Sequence, residues 1–173
     1  MSTPVYLELM ESGELARRSA EANSRLAACN LCPWNCRQDR TQGRRGVCHT
    51  TDRARVSSYR PHRGEEAPLS GWHGSGTIFF SWCNMRCQYC QNHEISQGES
   101  GQLAGPEDIA RMMLELQAMG CHNLNLVTPT HVVPQILAAL LIAIPAGLSL
   151  PLVYNSGGYD SVETLRLLEG IID

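Results

Sequence analysis

The stretch "TIFFSWCNMRCQYC", residues 77–90, decides the fold, because it joins a short apolar run typical of a buried β-strand to three cysteines. Cys83, Cys87 and Cys90 follow the strand at C-x3-C-x2-C spacing, at its carboxyl end. In α/β sheets and barrels, ligands and chemistry collect at that end of the strands. The sequence therefore predicts a metal site directly after this strand.

Three thiolates, rather than four, predict a centre with an open coordination position. A [4Fe–4S] cluster normally takes four thiolates, so three leave one iron free to bind a small molecule. Zinc is the alternative, held by three thiolates and a water or by three thiolates and His93. The tight spacing of the cysteines favours the cluster.

From Thr77 onward, apolar β-rich runs alternate with amphipathic or apolar helical segments. The strands are predicted at 77–81, 123–128 and 151–155, and the helices at 105–120, 131–144 and 160–170. Asp160 is predicted as the N-cap of the last helix, with Glu163 at the capping-box position. Strands that are apolar on both faces and alternate with helices predict a parallel α/β sheet.

The final residues, 171–173, are predicted to begin a fourth strand. A parallel strand needs covered faces and neighbours, and nothing follows these residues to complete their layer. We therefore expect the chain to be the truncated part of a longer enzyme and to expose an apolar edge.

Upstream of this region, residues 1–28 are predicted to be helical and residues 29–76 to be a loop-rich, cysteine-rich linker with one short strand at 54–60. Four cysteines lie in it at x2, x3 and x11 spacing: Cys29, Cys32, Cys36 and Cys48. Four thiols can close a metal site completely, either around zinc or around an auxiliary iron–sulfur cluster. Such a centre would also keep a loop-rich segment folded.

The charge of the chain is unevenly distributed. All 14 basic residues are Arg, and residues 14–63 carry eleven of them against four acids. This excess permits an interaction with nucleic acid, but no aromatic residues are interleaved as stacking platforms. We favour arginines that are solvated or offset thiolate charge.

The location of the protein is predicted from two features. The long uncharged run at 131–159 is interrupted by prolines and lacks flanking Arg, which predicts buried elements rather than a membrane span. Eight cysteines without a secretory leader predict the reducing cytoplasm.

The eight residues from Cys83 to Cys90, C-x3-C-x-aromatic-C, resemble the signature of the radical S-adenosylmethionine (SAM) enzymes. The surrounding sequence, over about residues 29–173, resembles the branch of that superfamily that is similar to pyruvate formate-lyase activating enzymes. The segments that carry this resemblance include "NLNLVTPTHVVPQI" and "PLVYNSGGYD". The resemblance implies that residues 77–173 form the first half of a (βα)6-type partial barrel.

The resemblance also implies an activity. SAM would chelate the open iron of a [4Fe–4S] cluster and be cleaved reductively to a 5′-deoxyadenosyl radical. A flavodoxin or ferredoxin would supply the electron, and the branch suggests a glycyl-radical enzyme as partner. The positions that match cofactor-binding segments of the family are Tyr89, Thr130, His131, Asn155, Ser156 and Gly157. Thr130 and His131 stand where related activases carry a Gly-Gly-Glu loop.

Two further expectations follow from the residues. A non-catalytic zinc or iron–sulfur module with an Arg-rich face for nucleic acid is the alternative function. His62, Glu65 and Glu66 lie between the two cysteine groups, and we expect them in a solvated loop rather than near a substrate.

Overall fold

Five β-strands form one mixed sheet in the computed structural model, which describes residues 4–173. The strands are β1 (Ala54–His62), β2 (Ser75–Phe80), β3 (Gln102–Ala104), β4 (Leu124–Val127) and β5 (Leu152–Asn155), in the order β3-β1-β2-β4-β5. β2, β4 and β5 are parallel, as predicted, but β1 is antiparallel to both β2 and β3. The strand predicted within the linker therefore joins the sheet. Residue 76, where we predicted the linker to end, lies inside β2.

Seven α-helices surround the sheet in the described part of the chain. They are α1 (Tyr6–Glu11), α2 (Glu14–Ser24), α3 (Ala67–Ser70), α4 (His93–Ser96), α5 (Pro106–Ala118), α6 (Val133–Ala143) and α7 (Val162–Leu168), with 3-10 turns at Arg25–Ala28, Arg40–Gln42 and Thr130–Val132. Most of the segment predicted to be helical at 1–28 is helical, and residues 1–3 of it lie outside the described residues.

The core lies between one face of the sheet and helices α5 and α6. Ile78 of β2 and Leu126 of β4 are fully buried on this face, and Met113 of α5 is buried against them in the same cluster. Helix α6 is apolar nearly all round, and it is buried because α5 packs on one side of it and α2 on another. The strand–helix alternation thus produces a helical layer on one side of the sheet.

The carboxyl-terminal residues differ from two of the predictions. Residues 171–173 form no strand: Ile171 is fully buried in the core, and the backbone N–H of Asp173 donates to the carbonyl of Leu152 at 3.1 Å. The N-cap of α7 is Ser161, not Asp160, since the Ser161 side chain accepts from the backbone N–H of Thr164. Asp160 instead accepts from the hydroxyls of Tyr154 in β5 and of Ser156 in the loop that follows.

Several arginines of the basic region, residues 14–63, form ion pairs with acidic residues of the same chain. Arg17 and Arg18 bind Glu14, and Arg25 binds Glu21. Arg55 reaches across to Glu99 at 2.7 Å. Part of the basic character of this region is therefore neutralised by ion pairs within the chain. Within residues 4–173, every helix is too short or too polar to cross a bilayer.

Candidate metal and cofactor site

An open cavity of about 1240 Å³ lies on the face of the sheet away from α5 and α6. Directly paired residues of neighbouring strands point to the same face, and one such row lines the cavity: Ser58, Phe79, Val127 and Asn155. Ligand pockets of proteins typically hold about 300–1,000 Å³. The cavity is thus large enough for a cofactor and a further bound group together.

Cys83, Cys87 and Cys90 all line this cavity, on the loop that leaves β2. The loop turns sharply before and between the cysteines, because Trp82 and Arg86 have positive φ of 67° and 52°. Such conformations are uncommon for residues other than glycine and persist where surrounding contacts hold them. The Trp82 ring stacks on His49, 4.7 Å between centroids, which supplies such a contact.

Hydrogen-bond donors are directed at two of the three sulfurs. The backbone N–H of Met85 donates to Cys83 Sγ at 3.4 Å, and the Ser96 hydroxyl donates to Cys90 Sγ at 3.3 Å. The Gln97 amide also donates to the Cys87 carbonyl at 2.9 Å, which ties the loop to α4. Both donors are therefore directed at sulfurs that would carry negative charge as metal ligands.

Asn84 anchors the cysteine loop to two other parts of the protein. It is 1% exposed, and its side-chain amide donates to the Tyr159 carbonyl at 2.7 Å. Its own carbonyl accepts from the Trp34 indole N–H at 2.7 Å, and the Trp34 and Tyr159 rings meet edge to face. The position of Cys83 therefore depends on the N-terminal cysteine segment and on the loop after β5.

The predicted cofactor residues after β5 lie at the cavity, and Tyr89 does not. Asn155, Ser156 and Gly157 all line the cavity. A Cβ atom at Gly157 would collide with the Met85 side chain, so glycine lets this loop pack closely on the cysteine loop. Tyr89 is fully exposed and lies outside the residues that line the cavity.

The structure does not bring Thr130 and His131 to the cavity. Both are buried, and a ring nitrogen of His131 is 3.0 Å from the Ser81 carbonyl. Burial lowers the pKa of His131 to about 4, so the imidazole is neutral at neutral pH. Thr128, two residues earlier, is the side chain after β4 that lines the cavity. His131 thus contacts the backbone just before the cysteine loop begins.

Three cavity residues come from the segment predicted to be solvated. Arg60 and His62 of β1 line the cavity, and so does Glu65, which accepts from the Asn125 amide at 3.0 Å. Ser58, Arg60 and His62 alternate along β1, which is the period of side chains that share one face of a strand. That alternation was the available signal, but it marks a site only once β1 is placed beside β2.

The second cysteine group forms a separate, more enclosed cluster. Cys29 and Cys48 are buried, and Cys36 packs on the small apolar group of Leu26, Cys29 and Leu31. Burial raises the pKa of the Cys32 and Cys36 thiols, and nearby Cys29 and Cys48 add to that rise. The four thiols therefore lie close enough to sense one another's charge.

The donor sets of both groups suit a thiolate-bound centre. All eight cysteines are free, so no disulfide competes for the sulfurs. As the side chains stand within residues 4–173, no three Cys, His, Asp or Glu groups are placed to hold a single ion. Three thiols that line a large cavity fit a multi-iron cluster, which places its cysteines on different irons. Zinc with His93 finds no support in this arrangement.

Comparisons with known proteins identify a family for the region that contains the cysteine loop. A family model described as "Radical SAM superfamily" matches residues 77–171. An uncharacterized protein of Methanocaldococcus jannaschii is 31% identical over 154 residues, covering 84% of this chain and 43% of that protein. The chain thus spans less than half the length of this curated relative. No solved structure matches the chain with significant similarity.

Proposed function

This chain belongs to the radical SAM superfamily, and on that premise we propose that Cys83, Cys87 and Cys90 hold a [4Fe–4S] cluster at which SAM is bound and cleaved. One observation carries the proposal: three free cysteines at the carboxyl end of β2 line the same cavity as the carboxyl ends of β4 and β5. When bound, the cluster supplies one electron to the sulfonium of SAM, which breaks a C–S bond and yields methionine and a 5′-deoxyadenosyl radical.

The residues of the chain position these groups and keep competing reactions out. The donors from Met85 and Ser96 stabilise negative charge on Cys83 and Cys90. Asn155 and Ser156, at the end of β5, supply polar groups on the cavity wall for the cofactor. Ser156 is itself held by a hydrogen bond from its hydroxyl to Asp160 at 2.7 Å, so its orientation is set before a ligand binds.

Charged side chains on and just after β1 line part of the cavity. Arg60, His62 and Glu65 give this wall both charge signs. Such a wall suits a polar substrate more than an apolar one. The proposed role of these side chains is to orient the substrate beside the cofactor.

The test is anaerobic reconstitution with iron and sulfide, followed by electron-spin resonance of the reduced protein with and without SAM. We expect a cluster signal that SAM perturbs, and we expect Cys83→Ala, Cys87→Ala and Cys90→Ala each to abolish it. Cys121→Ala is the matched control, since Cys121 is a lone buried thiol outside the cavity. A SAM-sensitive signal that survives all three cavity variants would overturn the ligand assignment. The absence of any SAM-sensitive signal in the parent chain at saturating SAM, with the cluster loaded, would overturn cofactor binding.

We propose the activase-like branch for the finer function, on the resemblance of the segments after β4 and β5. In that case the radical is passed to a glycine of a partner enzyme, and a flavodoxin or ferredoxin delivers the electron. The measurement is 5′-deoxyadenosine formed under reducing conditions, with and without a glycyl-radical enzyme. Cofactor cleavage without any glycyl radical on the partner would retain the radical SAM activity and remove the activase role.

A further inference from the structure

Arg40 is a buried cation without a carboxylate partner. It is 1% exposed, the largest fully buried side chain of the described residues. None of the ion pairs within residues 4–173 involves it. A guanidinium stays charged in proteins, and a buried charge is normally paired with an opposite charge. The position of Arg40 therefore calls for an anion beside it.

The groups that surround Arg40 identify the source of that anion. Its Nε and one terminal nitrogen donate to the Thr51 carbonyl at 2.9 and 2.6 Å, which leaves the positive charge uncompensated. The other terminal nitrogen is 3.7 Å from Cys29 Sγ. A neutral thiol is a poor partner for a guanidinium, whereas a thiolate is a good one. The guanidinium of Arg40 is thus directed at Cys29 of the second cysteine group.

Cys36 lies against Cys29 and against the turn that carries Cys48. Cys36 Sγ lies 3.9 Å from the Cys29 carbonyl, and a Cβ at Gly46 would come within 2.6 Å of Cys36 Sγ. Gly46 also accepts from the backbone N–H of His49, which folds the Cys48 turn back onto Cys36. Cys32 belongs to the same segment, at x2 spacing from Cys29.

We propose that Cys29, Cys32, Cys36 and Cys48 form a second, four-thiolate metal centre, and that Arg40 is its counter-ion. Four thiolates around Zn²⁺ or around an iron–sulfur cube carry a net charge of about −2, and either provides the negative charge that Arg40 lacks. The centre is chemically distinct from the cavity, since all four of its coordination positions are filled by the protein. It does not depend on the function proposed for Cys83, Cys87 and Cys90.

The first experiment separates the two centres. In the full chain carrying Cys83→Ala, Cys87→Ala and Cys90→Ala, metal is removed and then offered as Zn²⁺ alone or as Fe²⁺ with sulfide under anaerobic conditions. We expect one centre per chain in at least one arm, and its loss when Cys29→Ala and Cys48→Ala are added. Binding in neither arm, or binding that survives the added substitutions, overturns the proposal. Since the cavity cysteines are absent, this result is independent of the cavity cluster.

The second experiment tests the role of Arg40. Arg40→Gln should weaken metal affinity about tenfold to a hundredfold, the range for groups that contact metal ligands. Arg40→Lys, which keeps the charge, should lose less. Arg44→Gln is the matched control, because Arg44 is exposed on the same segment.

A purely structural role for Arg40 makes a different prediction. If Arg40 only held the Thr51 carbonyl, Arg40→Gln would lower the melting temperature of metal-free and loaded protein equally. If Arg40 is the counter-ion, metal should raise the melting temperature of the variant less than that of the parent chain. Equal metal-induced shifts in the two proteins overturn the counter-ion assignment.

Discussion

Replacing Asn84 by Ala should loosen the cysteine loop from the rest of the protein. Asn84 is 1% exposed, and its amide donates to the Tyr159 carbonyl at 2.7 Å. Truncation removes that donor and leaves the carbonyl unpaired at a partly buried site. An unmade hydrogen bond of this kind costs about 1–3 kcal/mol, and the partial exposure of Tyr159 lets water recover some of it.

We therefore expect Asn84→Ala to lower the free energy of unfolding by about 1–2 kcal/mol, a factor of about 5–30 in the ratio of folded to unfolded chains. The measurement is denaturant unfolding of the metal-free protein, with the slope checked for equality between variants. Asn84→Asp should be at least as destabilising, because it keeps the size but directs an acceptor at the Tyr159 carbonyl.

Gln88→Ala is the matched control, since Gln88 is exposed on the same loop and should change stability by less than about 0.5 kcal/mol. If Asn84→Ala behaves like this control, the loop is not held through Asn84, and the hydrogen bond to Tyr159 contributes nothing measurable. A large effect of Asn84→Ala with none for Asn84→Asp would show that side-chain volume, and not the donated hydrogen bond, holds the loop.

Three further predictions concern His131, Gly157 and Leu126. The pKa of His131 is about 4 against an ordinary 6.5, so its contribution to the free energy of unfolding is full above pH 6.5 and is lost as the pH falls toward 4. His131→Asn should therefore reduce the change in the free energy of unfolding between pH 6.5 and 4 by up to about 3 kcal/mol. An unchanged pH dependence in the variant would contradict this. Gly157→Ala should cost about 0.5 kcal/mol or less, because the added Cβ meets only the flexible, exposed Met85 side chain, and Met85→Ala should remove that cost in a double-mutant cycle. Leu126→Ala, at a fully buried position, should cost about 2–5 kcal/mol in thermal or denaturant unfolding, whereas Leu165→Ala at an exposed one should cost little.

Local patterns were sufficient to predict most of the elements and to group three cysteines in one place. The runs at 77–81, 123–128 and 151–155 are strands within one to two residues, because short apolar segments bounded by turn residues are strongly constrained by burial. Cys83, Cys87 and Cys90 were predicted as a site from spacing alone, and the structure brings all three to one cavity. Spacing along a loop limits how far apart its side chains can lie, so this kind of site is encoded locally.

Strand pairing was decided by the tertiary structure. The segment 54–60 was predicted as a strand, but nothing in it predicts that β1 runs antiparallel to β2 and places Arg60 and His62 at the cavity. Pairing depends on which hydrophobic faces can be buried together, and that is settled by the whole chain. The same applies to Ile171, predicted in a strand but buried as part of a turn because the core accepts it there.

The sequence by itself therefore determined the local chemistry of this protein: where thiols, strands and helices lie along the chain. Only the tertiary structure decided which distant groups meet. It buried Thr130 and His131 away from the cavity, and it set the buried charge of Arg40 against Cys29. The physical reason is that burial and charge pairing are properties of the packed interior, where a side chain's neighbours come from segments far away in sequence.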